Sequence, residues 1–205
     1  MKTSLKNKPL VTIITVVYNA ASLLEKTIQS VLEQTYPNIE YIVIDGNSTD
    51  GTINIIKKYN DSINFWLSEK DEGIYDAMNK GIELAKGDWI NFMNAGDKFY
   101  TNTVIKDVFS SVDFDKGDII YGDYRYIYSP EFSIIVNPKP IKKLWKYMSL
   151  CHQTVFMRTS ILKQYKFSLN NIAADHELLY RCYIEKYRFI YSEGIIASFL
   201  GGGVS

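Results

Sequence analysis

The chain has 205 residues, 46% of them hydrophobic and 22% charged, with 23 Lys+Arg against 23 Asp+Glu. That is enough apolar material for the core of one α/β unit of ordinary size, and it excludes a disordered chain. The balanced charge offers no net field to a nucleic acid, so DNA or RNA binding is disfavoured.

Residues 11–17 are dense in β-branched side chains and predict a buried strand. The apolar run there is broken by Thr12 and Thr15 and lacks a small-residue cleavage site. The start of the chain, with Lys2, Lys6 and Lys8, is therefore read as a lead into a strand and not as a signal peptide. No stretch reaches the roughly eighteen apolar residues of a membrane span. Tyr18-Asn19-Ala20 turns the chain, and Ser22 with Glu25 has capping-box spacing. Leu24, Ile28, Val31 and Leu32 then recur as on a helix. Residues 39–44 predict the next strand, and Thr49-Asp50-Gly51 leads into a helix holding Ile53, Ile55 and Ile56. A third strand is expected at 63–67, a polar loop at 69–73 and a helix over 74–86 with Gly87 as its stop. The fourth strand is 89–93. Alternation of this kind predicts a parallel, doubly wound sheet with right-handed crossovers.

After Asp97 the pattern loosens. Residues 118–124 and 132–136 alternate like strands of a mixed sheet. A short strand at 155–157, a helix over 175–187 and a strand at 189–192 follow. No repeat or linker interrupts the chain, so a single domain over 1–205 is expected, with a first half at 1–97 and a second at 98–205. Cys151 and Cys182 make no disulfide framework, which favours a reduced, cytosolic setting. The sixteen Tyr supply polar-tipped aromatic faces of the kind that suit carbohydrate. Residues 142–147, Lys-Lys-Leu-Trp-Lys-Tyr, suit either a solvated loop or an anionic membrane surface.

Two apolar runs end in carboxylate clusters. One is 41–44, followed by Asp45-Gly46-Asn47-Ser48-Thr49-Asp50; the other is 89–93, followed by Asn94-Ala95-Gly96-Asp97. Ligands of open parallel sheets bind beyond the carboxyl ends of strands, so a polar ligand or a metal is expected at this edge. Asp45 suits a base N–H or a ribose hydroxyl, while Asp50 reads mainly as a helix cap. Gly73 permits close backbone approach, and the helix after it favours phosphate oxygens. Asp175 opens a helix whose amino end stabilises a carboxylate. His152, alone on its segment, reads as a hydrogen-bonding group or a site contact.

The stretches 11–19, 44–52 and 69–81, with Asn94-Ala95-Gly96-Asp97 and Ala174-Asp175-His176-Glu177-Leu178-Leu179-Tyr180-Arg181, resemble family 2 glycosyltransferases over nearly the whole chain. The resemblance is to the bacterial enzymes of capsule, lipopolysaccharide and exopolysaccharide assembly. It implies the GT-A fold, a nucleotide-sugar donor, a divalent metal (Mn2+ or Mg2+) and inversion at the anomeric carbon. It implies that Thr15, Tyr18 and Asn19 wall the nucleoside pocket, that Asp45, Asp71 and Asp76 bind nucleoside or ribose, that Asn94 contacts donor sugar or ribose, and that His152 contacts donor or acceptor. Asp97 is then the metal ligand and Asp175 the general base, with Glu177 as the other candidate. Arg181 would hold a phosphate or orient a loop. Two departures stand out: Met78 lies where relatives often carry Arg, and Asn94 replaces the first acid of the family's Asp-x-Asp. Without that Arg, Lys80 or a main-chain N–H is left to serve the diphosphate. The implied donor is a UDP-sugar ahead of GDP- or dTDP-sugars. The implied acceptor is a glycan or lipid-linked saccharide, met in the cytoplasm with peripheral contact at the inner membrane face. Relatives usually continue past Gly201-Gly202-Gly203, so a tail with membrane-associating residues is compatible with this reading. A sugar nucleotidyltransferase would want a Gly-rich basic loop after the first strand, which 18–22 lacks. A non-catalytic nucleotide- or glycan-binding relative would have no need to keep Asp97 and Asp175.

Overall fold

Four parallel strands carry the first half. In a computed structural model that describes residues 8–148 and 150–200, β1 (Val11–Val17), β2 (Ile39–Asp45), β3 (Phe65–Ser68) and β4 (Trp89–Phe92) lie in the order β3-β2-β1-β4. They are crossed by α1 (Ala21–Leu32), α2 (Thr52–Lys58) and α3 (Ile74–Leu84). β1 is buried along its whole length, which is why it reads as a continuous apolar run. Its side chains serve opposite faces in turn. Ile13 and Val17 join Leu24, Ile28 and Ile56 beneath α1 and α2, while Ile14 and Val16 join Met78 and Ile82 of α3.

The second half continues the same sheet. It contains β5 (Lys98–Phe99), α4 (Val104–Ser111), β6 (Ile119–Ser129), β7 (Phe132–Val136), β8 (Val155–Arg158), α5 (Thr159–Tyr165), α6 (Ala174–Ile184) and β9 (Phe189–Leu200). The order runs on from β4 as β8-β6-β9-β5, with β7 paired to β6. β8 is antiparallel to both β4 and β6, whereas β6 and β9 are parallel. The mixed second half expected from the sequence is therefore present, and β8 is the strand that joins it to the parallel half.

Several local expectations fail for physical reasons. α1 begins at Ala21 with no side-chain cap bond. The Ala21 amide is satisfied by Asp50 Oδ2 at 3.1 Å instead, and Glu25 turns to Lys58 and Tyr59. Asp50 also accepts from the Thr52 amide and hydroxyl, so it serves the starts of two helices. Gly87 does not stop a helix, because α3 ends earlier and Ala85 is already extended. A Cβ at Gly87 would lie 2.5 Å from Thr12 Oγ1 and 2.7 Å from the Thr12 amide, so the glycine permits the chain to pass against β1. α4 and α5 were not anticipated. β9 runs well beyond 192, since the polar Ser192-Glu193-Gly194 interrupts its apolar pattern where the β6 register also shifts. Among the described residues no helix is long and apolar enough to cross a membrane. Both cysteines are free. Lys2, Lys6 and the glycine-rich 201–205 lie outside the described residues.

Candidate functional site

A cleft of about 890 Å³ opens beyond the carboxyl ends of β1 and β4. One wall is Tyr18, the loop 71–73 and the amino end of α3; the other is the segment 151–153, the loop 169–172 and the start of α6. This is the edge at which strand-end carboxylates were expected to meet a ligand.

The floor is organised by two adjacent residues. His152 and Gln153 form a short 3-10 turn just before β8 and are both buried. Gln153 Nε2 donates to Asp97 Oδ2 at 2.8 Å. His152 Nδ1 lies 3.1 Å from Asp175 Oδ2, and His152 Nε2 lies 2.8 Å from Asn94 Nδ2. An amide nitrogen only donates, so this pairing assigns the ring proton to Nδ1, which donates to Asp175. Asp175 is completed by Tyr75, whose hydroxyl donates to Oδ1 at 3.0 Å, and by the His176 amide at 2.8 Å. Asn94, His152, Asp175 and Tyr75 thus form one chain from the end of β4, through the loop before β8 and the start of α6, to α3.

The two carboxylates differ in how readily they take up a proton. Burial pushes Asp97 up to about 6, against a smaller opposing effect from the Gln153 bond. Burial also pushes Asp175 upward. There the hydrogen bonds from His152, the His176 amide and the Tyr75 hydroxyl outweigh it and hold the group below the usual carboxylate range.

On the first wall, Tyr18 is 65% exposed and free to offer a ring face. Asp71 Oδ1 accepts from the Gly73 amide at 3.0 Å. A Cβ on Gly46 would lie 2.5 Å from Asp71 Oδ2 and 3.3 Å from the Tyr18 ring, so glycine there lets the β2–α2 loop, Asp71 and Tyr18 close into one surface. Gly73 sits at φ +114 with open space around it, so its backbone conformation and not crowding calls for glycine. Asp76 accepts from the Glu72 amide and meets Lys80 at 3.4 Å.

Tyr18, Asp71, Asp76, Asn94, Asp97, His152 and Asp175 all line the cleft. Three predicted residues do not. Thr15 is fully buried; its hydroxyl donates to the Met93 carbonyl at 2.7 Å and pairs with Tyr41, tying β1 to the end of β4. Asn19 is exposed and uses its side chain on the Thr49 amide and its own amide on Ser48, so it joins two loops without lining the cleft. Asp45 is 0% exposed and accepts from the Ser48 amide and the Ser68 hydroxyl, while its Oδ1 has no partner. It braces the loop after β2 from inside the fold. Lys80 is held by Glu69, Asp76 and the Lys70 carbonyl, away from the cleft. Glu177 is exposed and bound by Asn171, and the Arg181 guanidinium lies 5.5 Å from the Tyr165 ring. Gln153 and Tyr75 were missed as site residues. Gln153 could have been suspected from its place between His152 and a strand; nothing in the sequence brings Tyr75, one hundred positions away, to Asp175.

The donor set suits a hard divalent cation bound together with a diphosphate. Asp97 offers a carboxylate whose Oδ2 alone is engaged among the described side chains, and Asn94 Oδ1 is a buried oxygen without a partner. No group of three or more His, Cys, Asp or Glu among the described residues is placed to hold a metal without such help.

A family model described as Glycosyl transferase family 2 matches residues 12–187. A PGL/p-HBAD biosynthesis glycosyltransferase of Mycobacterium bovis is 27% identical over 186 residues, spanning 85% of this chain and 70% of the relative. A putative teichuronic acid biosynthesis glycosyltransferase, TuaG of Bacillus subtilis, is 40% identical over 95 residues, 45% of this chain and 38% of the relative. Among solved structures, S. aureus TarS 1-349 in complex with UDP superposes with a TM-score of 0.75 at 19% identity, over 93% of this chain and 60% of that one. The mannosyltransferase PcManGT from Pyrobaculum calidifontis, in complex with GDP-Man and Mn2+, gives 0.75 at 18% identity, over 94% and 56%. The chain thus spans less than two thirds of these structures. The likeness bears on the fold, which is the GT-A arrangement expected from the sequence.

Proposed function

The chain belongs to glycosyl transferase family 2, and from that premise we propose that it moves a sugar from a nucleotide-diphosphate sugar to a glycan or lipid-linked saccharide of a bacterial cell surface, inverting the anomeric carbon. The observation that carries the reading is the pair Asp97 and Asp175, held on one cleft floor by the neighbours Gln153 and His152. Such a reaction needs an anionic leaving group balanced at one end and a proton accepted at the other.

Tyr18 stacks on the base, and Asp71 and Asp76 receive ribose hydroxyls. Asp97 and Asn94 Oδ1 would hold the cation, and Mn2+ or Mg2+ bound there would supply the positive charge that neutralises a departing diphosphate. The acceptor hydroxyl oxygen attacks C1 as the bond from C1 to the diphosphate oxygen breaks, and Asp175 takes the hydroxyl proton. A carboxylate held below its usual range is a weak base but always an anion. It accepts the proton late, as the attacking oxygen gains positive character. His152 and Tyr75 fix its orientation. The UDP complex of the TarS neighbour supports UDP as the carrier, and the GDP-Man complex of the mannosyltransferase makes GDP the competing choice. The proposed setting is the cytoplasmic face of the membrane, in keeping with two free thiols.

Isothermal titration of UDP, GDP and dTDP, with and without Mn2+, on wild type and Asp97→Ala tests the reading. Metal-dependent binding of one nucleotide, lost in the variant, is the expected result. Absence of binding by all three would leave a non-catalytic relative as the better description.

A further inference from the structure

The chain as a whole is neutral, but its charges are not evenly spread. Between Glu131 and Asp175 no Asp or Glu occurs, while Lys139, Lys142, Lys143, Lys146, Arg158, Lys163 and Lys166 do. Three of these are used within the fold. Arg158 lies over the Trp89 ring and donates to the Phe114 carbonyl, Lys163 donates to the Ala85 carbonyl, and Lys166 pairs with Glu83. The other four fall within eight residues, and all are exposed. None of them has a carboxylate partner among the described residues; Lys146 lies instead over the Tyr147 ring.

The same stretch exposes large apolar groups. Trp145 is 67% exposed, Tyr147 41% and Met148 57%. The backbone beneath them is pinned, because Leu144 is fully buried in the core and Leu150 nearly so. Leu144 therefore fixes the segment while its neighbours point outward. Met148 lines the cleft, so the surface adjoins the cleft mouth.

We propose that residues 139–148 dock on an anionic lipid bilayer and hold the mouth of the cleft against it. Unpaired lysines interleaved with Trp, Tyr and Met match such a surface on two counts. Lysines meet the negative headgroups, and amphipathic rings settle at the level of the interface. A protein partner would have to be acidic and apolar at once, whereas an anionic bilayer is both everywhere. The inference rests on the glycosyltransferase reading only for the sense of placing the mouth at a membrane; the binding itself needs no donor, acceptor or metal.

The test is co-sedimentation of the full chain with vesicles of phosphatidylcholine, with and without phosphatidylglycerol, over rising salt. Expected is partition to the anionic vesicles alone, weakening with salt, with a blue shift of Trp emission on binding. Lys142→Gln/Lys143→Gln/Lys146→Gln should lower the partition coefficient by about a hundredfold. Trp145→Ala should lower it less and abolish the blue shift. None of these residues is in the proposed binding machinery, so both variants should titrate nucleotide like wild type, and circular dichroism checks their folding. Equal binding to neutral vesicles, no binding to either, or full binding by the triple variant would each overturn the proposal. So would a dimer in sedimentation velocity that Trp145→Ala disperses, since the surface would then pair two copies. Failure here with nucleotide binding intact sinks the docking surface alone; loss of nucleotide binding with docking intact sinks the enzymatic reading alone.

Discussion

The turn after β4 and the amino end of α6 each deliver one carboxylate to the same cleft, and they treat it in opposite ways. Asp97 receives one neutral side-chain donor, from Gln153, and burial leaves it raised to about 6. Asp175 receives Tyr75, His152 and the His176 amide, and is held below the ordinary range although it too is buried. Depth alone therefore does not set the proton affinity; the number and kind of donors does. Asp97 is short of positive partners and suited to gain a proton or a cation. Asp175 is an anion whose position is already fixed.

The largest effect expected from breaking this contrast is on turnover. Asp175→Asn keeps the shape but cannot take a proton, and kcat should fall by about 10² to 10⁴-fold. Nucleotide affinity should hold, because Tyr18, Asp71 and Asp76 on the opposite wall are untouched. Wild-type turnover by this variant would remove Asp175 from the base role.

The next effect is on stability at the other end. Because the folded state raises Asp97, its contribution is favourable below the ordinary value of 3.8 and is lost as pH climbs through about 6. At pH near 8, without metal, the ionised group works against folding. Asp97→Asn should then stabilise the protein by about 1–2 kcal/mol, after discounting for the group's partial exposure. Urea midpoints should show that gain at high pH and lose it toward pH 4. With Mn2+ and UDP present the order should reverse, since only the carboxylate gains from the cation. A gain independent of pH would mean that packing and not charge separates the two ends.

The contrast also bears on what the sequence made legible. The parallel half was read almost element by element, because buried β-branched strands and amphipathic helices leave strong periodic signals. In the second half α5 is short, β9 is interrupted by Ser192-Glu193-Gly194, and the segment before β8 has no period at all. Cleft residues such as Asp97 and Asp175 were found because they sit at element ends within recognisable motifs. Thr15, Asn19 and Asp45 lie in equally recognisable motifs but do not line the cleft. Which face a strand-end side chain takes depends on partners such as Tyr41, Ser48 and Ser68, and those are tertiary contacts. Tyr75 carried no local signal and Gln153 only its place beside His152; their importance comes from what the fold brings to them.

Tyr75 gives the finest division between the two carboxylates. Its hydroxyl is directed at both Asp175 Oδ1 and the Ile172 carbonyl, each at 3.0 Å, while its ring packs on Phe167 at 5.4 Å. Burial first, and then the Asp175 charge, raise the phenol, so it stays protonated and donates throughout the working range. Tyr75→Phe keeps the ring contact and removes the donor. One hydrogen bond to a charged group should be lost, about 1–2 kcal/mol at neutral pH. Asp175 is depressed in the folded state, so its stabilising share is present above 3.8 and fades as pH falls through its lower folded value. The stability difference between the variant and wild type should therefore narrow in acid. With one donor fewer, Asp175 should rise, and the acid limb of the kcat profile should move to higher pH while the KM for donor is unchanged. A purely structural hydroxyl would lower stability at every pH and leave that limb where it was.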